Sequence, residues 1–172
     1  MINMSYEINS KEIRKVDYWS GQFFWGSIFP IPFVIIGLLF VIIKDNSLDI
    51  AFAILPIFLL AFIMTLVFVL LYIRRIKMIK TCLSDGIETK ATIEKYSFHK
   101  DKVGRLRGVK IKYFYETDGE KYFGSHSIAR NGEFITNYRE YKENIGSKII
   151  ILVNKNNYKN TVIKDMFVNW QK

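Results

Sequence analysis

Cysteine, histidine and proline are scarce in this chain of 172 residues, and each shortage excludes something. The single cysteine, Cys82, rules out an intramolecular disulfide framework. Only His99 and His126 accompany it, so zinc sites built mainly from cysteine and histidine are excluded. No glycine-rich motif joins a strand to a helix in the way that phosphate-binding loops require. We therefore expect no metal and no cofactor.

Charge is absent from two long stretches, residues 21–43 and 50–73. Within them, residues 22–43 and 50–73 would form helices roughly 33 and 36 Å long, enough to cross a hydrocarbon layer of about 30 Å. The rest of the chain is too short to wrap two helices that are apolar on all sides. The first stretch is also too long for a signal peptide and has no cleavage pattern. We predict a transmembrane hairpin joined by residues 44–49.

All three prolines, Pro30, Pro32 and Pro56, fall inside the two spans. Proline bends a helix, and a bend can act either as a gating hinge or as a plain packing feature. Neither span carries an ionisable residue, the usual sign of an ion or proton pathway. A transporter or pump that acts alone is therefore not expected.

Basic residues near the span ends predict the orientation. The connecting loop has only Lys44, whereas more basic residues flank the outer ends of the hairpin: Lys11, Arg14, Lys15, Arg74, Arg75, Lys77 and Lys80. Both termini should thus lie in the cytoplasm, with the chain a multi-pass protein of the bacterial cell membrane. We expect residues 1–21 to form a cytoplasmic segment with an interfacial helix whose Ile13 and Val16 face the lipid.

Residues 74–85 continue the helical pattern as a basic stalk that ends near Ser84-Asp85-Gly86. Four basic residues here are candidates for contact with anionic lipid headgroups, although the simpler interpretation is that they only fix the topology: Arg74, Arg75, Lys77 and Lys80. Cys82 is a candidate for palmitoylation or a plain small residue. As the only thiol, it would report which side of the membrane the stalk occupies.

Residues 86–172 switch to the alternation typical of strands. Residues 87–98 change phase near Glu94-Lys95, which predicts a bulge, and residues 109–116 form a strand with one buried face. Asp118-Gly119 predicts a two-residue hairpin turn. Its register would pair Glu116 with Lys121, and would also align Thr117 with Glu120, Tyr115 with Tyr122 and Phe114 with Phe123.

A helix is predicted around residues 134–141, ending at Gly146. Residues 148–153 predict a continuous apolar strand in the middle of a sheet, residues 154–160 an asparagine-rich turn, and residues 161–164 a closing strand. The fold class is thus an α+β membrane protein. A two-helix transmembrane hairpin precedes a small antiparallel β sandwich or barrel-like domain with one short helix.

Several turn and strand patterns are similar to those of one family. They are Gly86-x-x-Thr89-x-Ala91-Thr92-Ile93, Val109-x-Ile111-x-Tyr113-x-Tyr115, Gly119-x-x-Tyr122, Ile145-Gly146-Ser147-Lys148-Ile149, and the run from Ile151 to Ile163. Over residues 86–165 the chain resembles the bacterial domain-of-unknown-function family numbered 3592, small β domains beside membrane helices. The prolines usual in the family's last turn are missing here. The resemblance implies an architecture and no activity.

Catalytic signatures are absent from the soluble half. His126 lies between Ser125 and Ser127, but neighbours in a strand point to opposite faces, so they cannot form a nucleophile and base. The carboxylates are scattered over turns and solvent-facing positions, so we expect no enzymatic activity. Aromatic residues with nearby lysines can stack on bases, but their alternation favours a core, and nucleic acid is not an expected partner.

Two functions remain. The first is a non-enzymatic membrane-anchored protein-interaction module that binds a partner protein or a second copy of itself. Its contact surface would be a sheet edge or the basic loop with Lys100, Lys102, Arg105 and Arg107. The alternative is a small membrane immunity or envelope-stress protein that acts through its transmembrane helices. From residue 81 onward, 17 Lys and Arg outnumber 11 Asp and Glu, which also suits an anionic membrane surface.

Overall fold

A computed structural model describes residues 9–43, 48–129 and 145–168. The chain divides into two compact units, one formed by residues 22–74 and the other by residues 1–21 together with 75–172. Its helices are α1 (Ser10–Val16), α2 (Tyr18–Ile28), α3 (Ile31–Ile43), α4 (Leu48–Asp85) and α5 (Asp165–Val168). Its strands are β1 (Ile87–Lys100), β2 (Leu106–Thr117), β3 (Glu120–Ala129), β4 (Lys148–Asn154) and β5 (Asn157–Ile163).

In the unit of residues 22–74, the described residues form apolar helices. The predicted first span is interrupted at Phe29-Pro30, because proline lacks a backbone N–H and disfavours helical geometry in the residue before it. Pro56, by contrast, lies inside the continuous helix α4. A side chain at Gly26 would lie 3.0 Å from the Phe68 ring, and the Phe58 ring fills the space beside Gly37. Glycine at these two positions lets the antiparallel helices pack closely.

Two stretches of helix, Tyr18–Leu39 and Leu55–Asp85, are long and apolar enough to cross a membrane. In their most apolar parts, 11% and 0% of the residues are buried. A core helix of a water-soluble domain would have most of this surface covered by protein.

The other unit is built on a five-stranded antiparallel sheet in the order β3-β2-β1-β4-β5. The sheet curls into a near-barrel, which brings β5 towards β2 and β3. Tyr113 and Thr161 share a hydrogen bond of 2.7 Å between their hydroxyls, and the Tyr115 hydroxyl donates to the Tyr158 carbonyl. The barrel-like form of the predicted fold is thus confirmed.

The predicted hairpin is confirmed in every pair. Asp118 and Gly119 have φ angles of 54° and 79°, the positive values that a two-residue turn of this type needs. Thr117 faces Glu120 and Phe114 faces Phe123, with the intervening pairs in the predicted register. The predicted bulge is confirmed too, since the pairing of β1 with β2 shifts between Ile93 and Lys95.

β4 is an interior strand as predicted, because it pairs with β1 on one side and with β5 on the other. The start of β5 differs from the prediction. β5 already begins at Asn157, because the Asn154 side chain accepts a hydrogen bond from the Asn156 N–H and closes the turn within two residues. The helix predicted around residues 134–141 lies outside the described residues.

The prediction that Ile13 and Val16 face lipid is wrong. Both side chains are buried in the unit that contains the sheet, where α1 lies against β3 and α5. Two apolar residues one helical turn apart can cover either lipid or a protein core, and the sequence pattern does not distinguish them. The short N-terminal helix therefore belongs to the β domain.

The helix α4 ends at Asp85 as predicted, but its last turns are part of the β domain core. Three apolar residues of the predicted stalk are buried, Ile76, Ile79 and Leu83. Cys82 is fully buried between them, with its thiol 3.5 Å from the Asn160 carbonyl oxygen. A thiol in this position is closed to modifying enzymes and to maleimides, so it cannot report membrane topology.

Candidate functional site

Asp17 lies where the N-terminal segment meets the sheet. It ends α1 by donating its N–H to the Ile13 carbonyl at 2.8 Å, and it forms an isolated antiparallel bridge with Ile128 of β3. Its side chain caps α2, because Oδ2 accepts hydrogen bonds from the Ser20 N–H at 2.7 Å and the Ser20 hydroxyl at 2.6 Å. One residue thus ends one helix, begins the next and extends the edge of the sheet.

The Asp17 carboxylate also binds two side chains from distant parts of the chain. Arg75 of α4 holds it with two hydrogen bonds, from Nη2 to Oδ1 at 2.7 Å and from Nε to Oδ2 at 3.2 Å. The Nε2 atom of His126 in β3 lies 3.1 Å from Oδ1. The side chains of Asp17 and His126 are both fully buried, and that of Arg75 is 20% exposed. We call these three residues the Asp17 cluster.

Burial and the neighbouring side chains act in opposite directions on the pKa of Asp17. Burial alone would raise the pKa of Asp17, but the adjacent His126 imidazole and the paired Arg75 guanidinium hold that pKa well below its ordinary value. Burial lowers the pKa of His126, and Arg75 lowers it further, against the opposing effect of Asp17. At neutral pH the cluster therefore holds a carboxylate, a guanidinium and a neutral imidazole.

The arrangement around His126 is that of a packing contact. The imidazole meets the Phe167 ring edge-on, with 5.9 Å between ring centres. As the strand alternation predicts, neither neighbouring serine faces it, since Ser125 is exposed and Ser127 bonds to His99. The pairing of Asp17 with His126 was not predicted from the sequence. A sequence signal for Asp17 did exist, namely an acid at the N-cap position of an apolar helix.

His99 lies near the end of β1 and stacks on the Tyr18 ring with 4.3 Å between ring centres. The Trp19 ring meets it edge-on at 5.8 Å, and His99 Nε2 lies 3.1 Å from the Ser127 hydroxyl oxygen. The first residues of the apolar helix α2 are therefore in contact with this end of the sheet.

The basic loop predicted as a partner surface connects β1 to β2 and is organised by Asp101. Its Oδ1 accepts the N–H groups of Val103 at 3.0 Å and Arg105 at 2.8 Å, and its Oδ2 lies 3.0 Å from Arg107 Nη2. These interactions lower the pKa of Asp101, the backbone hydrogen bond from Arg105 most of all. The side chains of Lys100, Lys102 and Arg105 make no hydrogen bond or ion pair with any described residue.

The sheet face that points away from the core carries lysines around two phenylalanines. Phe123, which is 65% exposed, pairs across the strands with Phe114, and Phe114 pairs with Thr92 of β1. The Lys121 ammonium lies 4.0 Å from the centre of the Phe114 ring. We call this surface the outer face, and its lysines are Lys90, Lys95, Lys110, Lys112, Lys121 and Lys148.

The four basic residues predicted to contact lipid headgroups have different surroundings. Arg74, Lys77 and Lys80 are exposed on α4. The guanidinium of Arg75 instead forms a salt bridge with the Asp17 carboxylate. Because adjacent residues on a helix point about 100° apart, Arg74 and Arg75 face different environments.

The described residues contain no group of three or more His, Cys, Asp or Glu side chains placed to hold a metal ion. Comparison of the chain with family models, with curated proteins and with solved structures found no match. The resemblance of residues 86–165 to family 3592 stays a prediction.

Acidification from about pH 7.5 to 5.5 should lower the stability of the fold, because the folded state keeps His126 neutral. An unfolded chain takes up this proton near pH 6.5, so stability is lost as the pH falls through that value towards the lower pKa of the folded state. Protonation of Asp17 lowers the stability only at more acidic pH, because the pKa of Asp17 is lowered as well. The measurement is thermal unfolding of the full chain in detergent across this range.

The variant His126→Gln should lose most of this pH dependence, whereas the control His99→Gln should retain most of it. Burial and Lys110 lower the pKa of His99 in the same direction, but its ring is only partly buried. A full pH dependence in His126→Gln would refute the assignment.

Proposed function

We propose that this protein is a non-enzymatic, membrane-anchored interaction module. Its apolar helices anchor it in the bacterial cell membrane with both termini in the cytoplasm. Its β domain binds an acidic segment of a partner protein through the outer face. The observation that carries the proposal is the concentration of exposed lysines around Phe114 and Phe123 on this face.

The membrane anchor is supported by the uncovered apolar surface of the helices. Phe29 is 71% exposed, Ile57 65% and Ile36 63%, and many other apolar side chains of α3 and α4 are exposed to a similar degree. Transferring one such side chain out of water is worth about 1.5–3 kcal/mol. A continuous surface of this kind far exceeds the isolated apolar patches of soluble monomers, so a lipid environment accounts for it best.

The charge of the outer face supports an acidic partner. Lys95 of β1 lies directly opposite Lys112 of β2, so two like charges face each other across the strands. Such a pair is unfavourable within the domain unless an anion lies between the two ammonium groups. At the margin of the outer face, Glu116 lies opposite Lys121. Across the whole face the lysines outnumber the acidic residues. Binding a carboxylate-rich segment would therefore relieve a repulsion built into the fold.

The aromatic residues favour a protein over single-stranded nucleic acid. A nucleic-acid platform needs open ring faces on which bases stack. Lys121 covers the ring of Phe114 and also lies 5.5 Å from the centre of the Phe123 ring. Phe123 is left as one exposed apolar side chain among cations, which suits an anchor contact to an acidic peptide with an apolar residue. The sheet edges are less suitable, because β3 and β5 approach each other.

Site-specific photo-crosslinking tests the partner surface. A benzophenone amino acid replaces Phe123 in the full chain, and cells are irradiated before purification in mild detergent. We expect one protein to be crosslinked through an acidic peptide, as read by mass spectrometry. The charge reversals Lys95→Glu and Lys112→Glu together should reduce the yield at least about tenfold, because every 1.4 kcal/mol of lost binding is a factor of ten.

The matched control is Lys155→Glu with Lys159→Glu, which changes the net charge equally at exposed positions around the β4–β5 turn. It should leave the crosslink intact. Crosslinks to nucleic acid alone, or none at all, would contradict the proposal. The alternative function, immunity or envelope-stress protection through the transmembrane helices, requires only the helices. Persistence of that protection in the Lys95→Glu, Lys112→Glu double variant would therefore also contradict the proposal. Deleting residues 86–172 is a poorer test, because it strips the cover from Ile13, Val16 and Asp17.

Orientation in the membrane needs an introduced thiol, since Cys82 is buried. In a Cys82→Ala background, Lys155→Cys should react with a membrane-impermeant maleimide only after cells are permeabilised. Ser47→Cys, in the segment between the two spans, should react on intact cells. The reverse pattern would contradict cytoplasmic termini, and labelling of both thiols on intact cells would contradict the membrane-spanning hairpin.

A further inference from the structure

The loop between β1 and β2 is preformed and presents a cationic tip. Asp101 closes it at both ends, since its N–H donates to the Arg105 carbonyl at 2.9 Å and its carbonyl accepts the Gly104 N–H at 3.0 Å. Gly104 has a φ of 81°, which glycine adopts without strain. At the tip, the Val103 side chain is 78% exposed.

The charge of this loop is not neutralised within it. Asp101 is its only acid, and that carboxylate is already paired with Arg107. Three exposed cations remain around Val103, namely Lys100, Lys102 and Arg105. An exposed apolar side chain with unpaired cations close to it in the sequence combines the two features by which a surface segment binds an anionic membrane.

The same loop lies next to the start of the first apolar helix. His99, which directly precedes the loop, stacks on Tyr18 and touches Trp19. Trp19 is itself 39% exposed. The four backbone steps from His99 to Val103 span at most about 14 Å, so the Val103 backbone lies within that distance of His99. Tryptophan and tyrosine at the start of a membrane helix mark the level of the lipid headgroups.

We propose that the Lys100–Arg105 loop binds the headgroups of anionic phospholipids, with Val103 inserted among them. This inference rests on the proposed membrane anchor. Each basic residue near such a surface strengthens binding about fivefold, so three of them amount to roughly a hundredfold. The loop would hold the near end of the sheet at the membrane and leave the outer face for the partner.

An acidic protein suits this loop less well than a lipid surface does. The tip is a single turn with one apolar side chain, too small for the well-packed centre that protein interfaces require. Its exposed cations are close to Val103 in the sequence, and they suit many mobile phosphate groups better than one folded partner. The proximity of Trp19 favours the same assignment, because tryptophan prefers the headgroup region.

Fluorescence quenching of the reconstituted full chain tests this binding. In a Cys82→Ala background, Val103→Cys carries a bimane dye, and the vesicles contain a lipid with a nitroxide on its headgroup. We expect at least about twofold stronger quenching with roughly 30% phosphatidylglycerol than with pure phosphatidylcholine. Salt near 1 M, where the Debye length is about 3 Å, should abolish the difference.

The double variant Lys100→Glu, Lys102→Glu should reduce quenching to the phosphatidylcholine level, whereas the control Lys155→Glu, Lys159→Glu should leave it unchanged. Equal quenching in both vesicle types would overturn the proposal while leaving the anchor intact, provided the protein floats with the vesicles. Failure to float with either composition would overturn the anchor and the loop proposal together. Crosslinking of a protein at position 103 in place of lipid quenching would also overturn it.

Discussion

The buried carboxylate of Asp17 is the constraint on which the β domain depends. An ionised carboxylate removed from water costs several kcal/mol unless it is paired and fully hydrogen-bonded. Here the compensation comes from the Arg75 guanidinium, the His126 imidazole and two groups of Ser20. These partners lie on α4, on β3 and at the start of α2, so the cluster can form only when all three segments are together. The N-terminal residues and the end of α4 thereby become parts of one unit with the sheet.

Local signals in the sequence predicted much of this unit. The Asp118-Gly119 turn, its cross-strand pairs, the bulge near Lys95 and the end of α4 at Asp85 are each set by residues a few positions apart. Such features follow from backbone preferences, from alternation and from short-range pairing, which a sequence displays directly. The two apolar helices were predicted for a similar reason, because their length and lack of charge are visible without tertiary information.

Contacts between distant segments could not be predicted in this way. Asp17 and Arg75 are 58 positions apart in the sequence. Each can be explained without the other, Asp17 as a helix cap and Arg75 as one of the basic residues that set membrane topology. Ile13, Val16 and Cys82 were read as surface residues because an apolar helix face suits either lipid or protein. The outer face was missed because its lysines are spread over β1, β2, β3 and β4, and only the strand order brings them together.

A double-mutant cycle on Asp17 and Arg75 tests this account most directly, with unfolding of the full chain by denaturant in detergent as the measurement. We predict that Arg75→Met costs on the order of 3 kcal/mol, because it leaves a buried carboxylate without its cation, and that Arg74→Met changes stability by less than about 0.5 kcal/mol. Combining Asp17→Asn with Arg75→Met should recover at least about 1.5 kcal/mol relative to the sum of the single losses. Additive losses, or equal costs for the two arginines, would contradict it.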